Sequence, residues 1–191
     1  MDNYVFGYGS LICTDSRART GKTGEAHGAM VNGIERSWSV PVHSSQVTAV
    51  GAIKKHSGQC NGVVFQVSDE SLRQFDKREA EYDKILLPRD QFEHPERLPG
   101  SGNIWTYVGH QVQKPSESFP IAQSYLDVII NGALSYGTDF VEMFFSTTKN
   151  WQHILNDRSN PRYPRHNPEI DACLHDELMK THISEALNKR S

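Results

Sequence analysis

Cysteine is scarce in this 191-residue chain. The three present, Cys13, Cys60 and Cys173, are odd in number and far apart. That spacing argues against a disulfide framework and fits free thiols in a reducing compartment. An excess of charge of one sign is lacking too. Twenty Lys and Arg stand against 23 Asp and Glu, a formal net charge of -3, which gives no electrostatic footprint for nucleic acid. No apolar run approaches the ~20 residues of a membrane-spanning helix. There is no Asn-x-Ser/Thr sequon, and Met1-Asp2-Asn3 has neither the basic start nor the apolar stretch of a secretion signal. Internal repeats and low-complexity tracts are absent. These absences predict a cytoplasmic protein with no nucleic-acid or membrane partner. They leave its oligomeric state open. The length suits one well-buried core.

The apolar pattern that is present alternates between strand and helix periods, so the class is α+β. Residues 3–8 read as a strand, and 14–29 as a polar loop with one short helix. Strands follow at 30–39, 47–54 and 61–67, the last buried on both faces. Ser68-Asp69-Glu70 is a helix start, for a short helix carrying Leu72, Phe75 and Asp76 to about Ala80. Residues 83–94 return to strand character, broken by Pro88. A strand at 103–110 and a helix at 121–136 with one apolar face come next. Residues 138–156 have helical spacing. Three prolines exclude a regular helix over 157–168, and 169–189 reads as a polar amphipathic helix.

Two clusters carry chemistry. The first is Tyr8-Gly9-Ser10-Leu11, directly after the first strand. Glycine permits unusual backbone angles and close approach, so such a loop aims several N–H groups into one space, where a carboxylate or a developing oxyanion binds. A dinucleotide fingerprint fails because its third glycine falls on Ile12, and a serine-nucleophile elbow would need glycines at Tyr8 and Ile12. The second cluster is Arg78-Glu79-Ala80-Glu81-Tyr82 at the end of the short helix.

Together these clusters resemble the γ-glutamylcyclotransferase family, most of all its ChaC-like, glutathione-specific branch. Gly62-Val63-Val64-Phe65 is similar to the strand that precedes the family's catalytic helix. Gln123-Ser124-Tyr125, followed by Gly132-Ala133, is similar to its tyrosine-bearing helix. The resemblance spans about residues 3–137. It implies a small, barrel-like mixed sheet surrounded by helices, over residues 1–137. Residues 138–191 then form a helical, Arg- and Pro-containing extension packed on the same domain. It implies release of 5-oxoproline from a γ-glutamyl peptide or amine, glutathione favoured, with no cofactor. Glu79 would be the general base and acid. Tyr8, Gly9, Ser10, Leu11, Tyr82 and Tyr125 would bind the substrate.

Each residue has a competing reading. Glu79 also fits a solvated helix end, and Glu81 is a rival base. Tyr82 and Tyr125 also fit a half-buried core. Arg158, Arg162 and Arg165 fit either a solvated turn or a grip on a substrate carboxylate. His153, His166, His175 and His182 lack a carboxylate–His–His motif, so no metal is expected. A non-catalytic binding or regulatory protein on the same fold is the alternative to an enzyme. An interaction module in 138–189 is a third reading.

Overall fold

The computed structural model describes residues 2–109 and 112–187. The predicted strand end at His110 and helix end at 188–189 lie outside the described residues. Strand β1 (Asn3–Gly7) leads through a 3-10 turn (Ser10–Ile12) into helix α1 (Thr14–Ala18). The long strands β2 (Thr23–Val42) and β3 (Val47–Val67) follow, then α2 (Asp69–Arg78), β4 (Asp83–Leu86) and β5 (Asn103–Val108). The short β6 (Ile121–Ala122) opens helix α3 (Gln123–Leu134). After it come α4 (Thr138–Thr147), β7 (Thr148–Lys149), β8 (Ile154–Leu155) and α5 (Ala172–Leu187).

The main sheet is mixed, in the order β4-β5-β1-β3-β2-β7, and β6 and β8 form a separate parallel pair. β1 lies antiparallel to β3 and parallel to β5. The α+β class is as expected from the sequence. The barrel-like closure is not: the sheet is open, with β4 and β7 as its unjoined ends. The three strands expected at 30–39, 47–54 and 61–67 are two, paired antiparallel over most of their length. Bulges between Thr23 and Ala26, Asn32 and Ile34, and Trp38 and Val40 let this long ribbon bend. Residues 138–156 are helical only as far as Thr147.

Val5 and Phe6 of β1 and Val63, Val64 and Phe65 of β3 are at most 1% exposed, as strands covered on both faces must be. The other departure is α3. It is not an outer helix with one apolar face, because ten of its twelve residues are buried. One side packs on the turn after β1. Gly132 makes that approach possible, since a Cβ there would lie 2.5 Å from the Cys13 backbone. The polar residues of α3 find partners in the C-terminal segment. Asp127 takes a bidentate pair from Arg158 and a contact from His175 Nδ1 at 3.0 Å, and Gln123 donates to Asp176. His182 stacks on Phe145.

Candidate active site

A cavity of about 530 Å³ opens where the turn after β1, the end of α2, the N-terminal part of α3 and the β2–β3 turn converge. That volume is typical of small-molecule sites. Tyr8, Gly9, Ser10, Leu11, Glu79, Tyr82 and Tyr125 all line it, so the structure brings together the candidate catalytic and substrate-binding residues that the resemblance implies, while Arg158 and the four histidines weighed for a metal lie outside it. Glu81 also lines it but is exposed. Arg78, Arg162, Tyr163 and Arg165 complete the polar wall.

The hydrogen-bond pattern of the glycine loop leaves backbone donors unused. The turn's own bonds begin with Ile12 N–H to Gly9 O (2.9 Å) and Cys13 N–H to Ser10 O (3.2 Å). The N–H groups of Gly9, Ser10 and Leu11 therefore have no partner within the turn. Buried Arg36 donates to the Tyr8 carbonyl at 3.0 Å. In a trans peptide the N–H opposes the C=O, so this bond fixes the direction of the Gly9 N–H.

Ser68 caps α2 by accepting from Ser71 N–H, a bond worth about 1 kcal/mol. Glu79 closes the helix at its other end, with its N–H on Phe75 O at 2.9 Å. Its side chain is 17% exposed and meets Arg78 Nε at 3.0 Å. Burial pushes the Glu79 carboxyl pKa up, while Arg78 and Arg165 pull it back. Arg78 continues to Ser10 Oγ (2.9 Å) and Thr20 Oγ1 (2.7 Å), which ties the acid to the donor loop.

The tyrosines differ in kind. Tyr8 lines the cavity but spends its hydroxyl on Tyr107 O at 2.6 Å. Tyr82 is reached by a tight turn without glycine, closed by its N–H on Glu79 O at 2.9 Å. Its phenol is pushed well up by burial, and Tyr125 and Glu79 add to this. Tyr125 packs edge-on against Trp38 and lies 4.5 Å, ring to ring, from Tyr163. Its hydroxyl reaches the Gly9–Ser10 bend.

Sequence reasoning singled out no role for Tyr163 and left the arginines ambiguous. Arg158 belongs to the structural network with Asp127, whereas Arg162 and Arg165 reach the cavity. The one signal in the sequence was the density of arginine among prolines over 157–168.

A mixed α+β scaffold thus sets a largely buried carboxyl beside a loop with unpaired backbone N–H groups, in a cavity of small-molecule size. The family profile described as "Gamma-glutamyl cyclotransferase, AIG2-like" matches residues 5–126, and the chain belongs to that family. No curated protein matches it. Among solved structures it resembles one titled gamma-glutamyl cyclotransferase, with TM-score 0.60 at 12% identity over 94% of this chain and 99% of that one. It also resembles the human protein loc79017, described as uncharacterized, with TM-score 0.59 at 13% identity over 94% and 99%. A glutathione-specific cyclotransferase from yeast is more distant, with TM-score 0.45 at 12% identity over 100% and 91%. At that distance it bears on neither substrate nor branch.

Proposed function

We propose that this protein is a γ-glutamylcyclotransferase that releases 5-oxoproline from a γ-glutamyl peptide or amine, with glutathione the first substrate to test. The observation that carries this reading is a largely buried carboxyl, Glu79, in one cavity with the N–H groups after β1 that the turn leaves unpaired, and burial pushes that carboxyl's pKa up. Family membership supports it.

An α-amine has a pKa of about 8, so roughly a tenth of it is unprotonated at pH 7. In that form it attacks the side-chain carbonyl of its own γ-glutamyl unit. The new N–C bond closes a five-membered ring, and the attacking nitrogen sheds a proton to Glu79. The carbonyl oxygen becomes an oxyanion facing the Gly9, Ser10 and Leu11 N–H groups. Losing one such donor typically costs about 3 kcal/mol of barrier. The oxyanion then collapses, the amide C–N bond breaks, and Glu79 returns its proton to the leaving nitrogen. One carboxyl suffices, because the proton it takes is the proton it gives. Holding a flexible substrate curled supplies up to roughly 7–11 kcal/mol, which the aromatic walls Tyr82, Tyr125 and Tyr163 suit. Glu79 is preferred to Glu81 as base because Glu81 is exposed. No step requires a cofactor. The free cysteines, of which Cys13 and Cys60 are buried, suit a cytoplasmic setting.

The test is 5-oxoproline release, read by mass spectrometry, from glutathione, γ-glutamyl dipeptides and γ-glutamyl amines. Glu79→Gln abolishes release and leaves substrate affinity within a few-fold. Near-normal turnover by Glu79→Gln refutes the mechanism. Binding of a panel member without release by the wild type identifies a binding protein on this fold instead.

A further inference from the structure

Two guanidiniums at the cavity wall, Arg162 and Arg165, have no carboxylate within ion-pair distance among the described residues; Arg162 is exposed, whereas Arg165 is half-buried and feels the charge of Glu79. Arg78 pairs with Glu79, and Arg165 brings a second guanidinium to the same place. Both arginines donate to Thr20 Oγ1 at 2.7 Å. Both also address Ser16 O, Arg165 at 2.7 Å and Arg78 at 3.5 Å. Like charges sharing acceptors repel, and Arg165 is half-buried. Burial and Arg78 lower its pKa, against the pull of Tyr163 and Glu79. Among the described residues Arg165 has no carboxylate within ion-pair distance, and its hydrogen bonds all leave from Nη1. A partly desolvated cation without a partner is costly unless an anion joins it.

The proposed cyclisation, on which this step rests, fixes where an anion sits. Glu79 accepts the proton of the α-amine, so the amine lies against Glu79. The α-carboxylate hangs on the same carbon as the amine, so its receptor must adjoin Glu79. Arg78 is committed to Glu79, Ser10 and Thr20. Arg165 is the neighbouring cation with donors to spare, and a planar guanidinium matches a carboxylate. We propose that Arg165 is the receptor for the α-carboxylate of the γ-glutamyl unit. The C-terminal segment, outside the matched residues 5–126, then supplies half of a clamp for the substrate's amino-acid head. Glu79 takes the amine and Arg165 the carboxylate.

The clamp demands substrates with an intact α-amino acid head. A 4-aminobutanoyl amide keeps the nucleophile and the five-membered closure but lacks the carboxylate, and its product is 2-pyrrolidinone. The experiment compares the preferred γ-glutamyl substrate with its 4-aminobutanoyl counterpart, in the wild type, Arg165→Gln and Arg165→Lys. In parallel, calorimetry measures binding of 5-oxoproline to each protein. A hydrogen-bonded charge contributes about 1.5–3 kcal/mol, so Arg165→Gln raises KM for the γ-glutamyl substrate roughly 10- to 100-fold, with a smaller change in kcat. The selectivity ratio between the two substrates collapses by the same factor, and Arg165→Lys keeps part of it. A merely structural Arg165 lowers both substrates alike, and an unchanged ratio overturns the proposal. If the wild type turns over neither substrate, the reaction assignment fails and the binding arm decides. Loss of 5-oxoproline binding in Arg165→Gln then supports the carboxylate receptor. Binding that is equal in both proteins, or absent from the wild type, overturns it.

Discussion

Glu79 shows what one residue gives up to serve a site. It sits at the C-terminal end of α2, where the helix dipole disfavours an anion. Burial raises its pKa above the ordinary 4.5, against Arg78 and Arg165. The folded protein therefore keeps this proton at pH values where the unfolded chain has released it. Stability due to this group is full below the unfolded pKa and is lost as pH rises through the folded one. Glu79→Gln removes the penalty. The variant should melt at or above the wild-type temperature at pH 7, and the difference should vanish below the ordinary carboxyl range. Thermal melts stepped through pH check this, and a variant that melts lower at pH 7 contradicts it. At this scale the sequence was most legible where the chemistry is local. Tyr8–Leu11 is a four-residue turn, and Glu79 follows one capped helix. Arg165 was only half legible: the sequence offered it with Arg158 and Arg162 as a grip on a carboxylate or a solvated turn, and could not separate the three, because the neighbours Arg78, Thr20 and Glu79 come from elements far away in the chain.

The segment between β8 and α5 shows the same dependence among elements. Helix α3 has Ala122 at its N-cap position, which offers no side-chain cap. Buried Asp157 supplies one from a distance, accepting from Ser124 N–H at 2.8 Å and Ser124 Oγ at 2.6 Å. The same carboxylate accepts from Arg162 N–H at 2.7 Å. It thus joins the helix that carries Tyr125 to the segment that carries Tyr163 and Arg165. Each buried donor left unsatisfied costs about 1–3 kcal/mol. Asp157→Ala should lower stability by about 3 kcal/mol in denaturant unfolding and raise KM for the γ-glutamyl substrate. Asp157→Asn should retain part of both. A full-strength KM in Asp157→Ala would detach this segment from the site. Element boundaries were legible where a cap or periodic face marks them, as at Ser68, and obscure in β2 and β3. The polar stretches 23–29 and 54–59 look like loops because they are exposed portions of one long ribbon. Strands usually run five or six residues, whereas these run 20 and 21. The burial of α3 was hidden for a related reason. Gln123, Ser124 and Asp127 read as a polar face, and only the C-terminal segment turns that face inward.

Across the whole molecule, some of the described residues beyond 137 contribute to the core. β7 extends the main sheet from β2, and β8 pairs with β6. Phe140, Val141, Phe144 and Phe145 are each at most 5% exposed. The strongest tie is Arg36, which is 0% exposed and has no carboxylate partner among the described residues. From the first part of the chain it holds Tyr8 O, Asn61 O and Asn61 Oδ1. From the last part it holds Phe144 O, Thr147 Oγ1 and Thr148 Oγ1, and its guanidinium lies 4.3 Å from the Phe144 ring centroid. Removing residues 138–191 would leave this buried cation with half its acceptors, and the same cation orients the Tyr8–Gly9 peptide of the donor loop. It would also expose the aromatic residues packed beneath α4, each worth about 1.5–3 kcal/mol of burial. The expected result is a truncated chain that does not fold cooperatively, aggregates on expression and releases no 5-oxoproline. Circular dichroism melts and size-exclusion chromatography of residues 1–137 against the full chain provide the measurement. A soluble, cooperatively melting 1–137 fragment that keeps turnover would show the C-terminal part to be a separable module. It would also remove the structural basis for giving Arg165 a role in substrate binding.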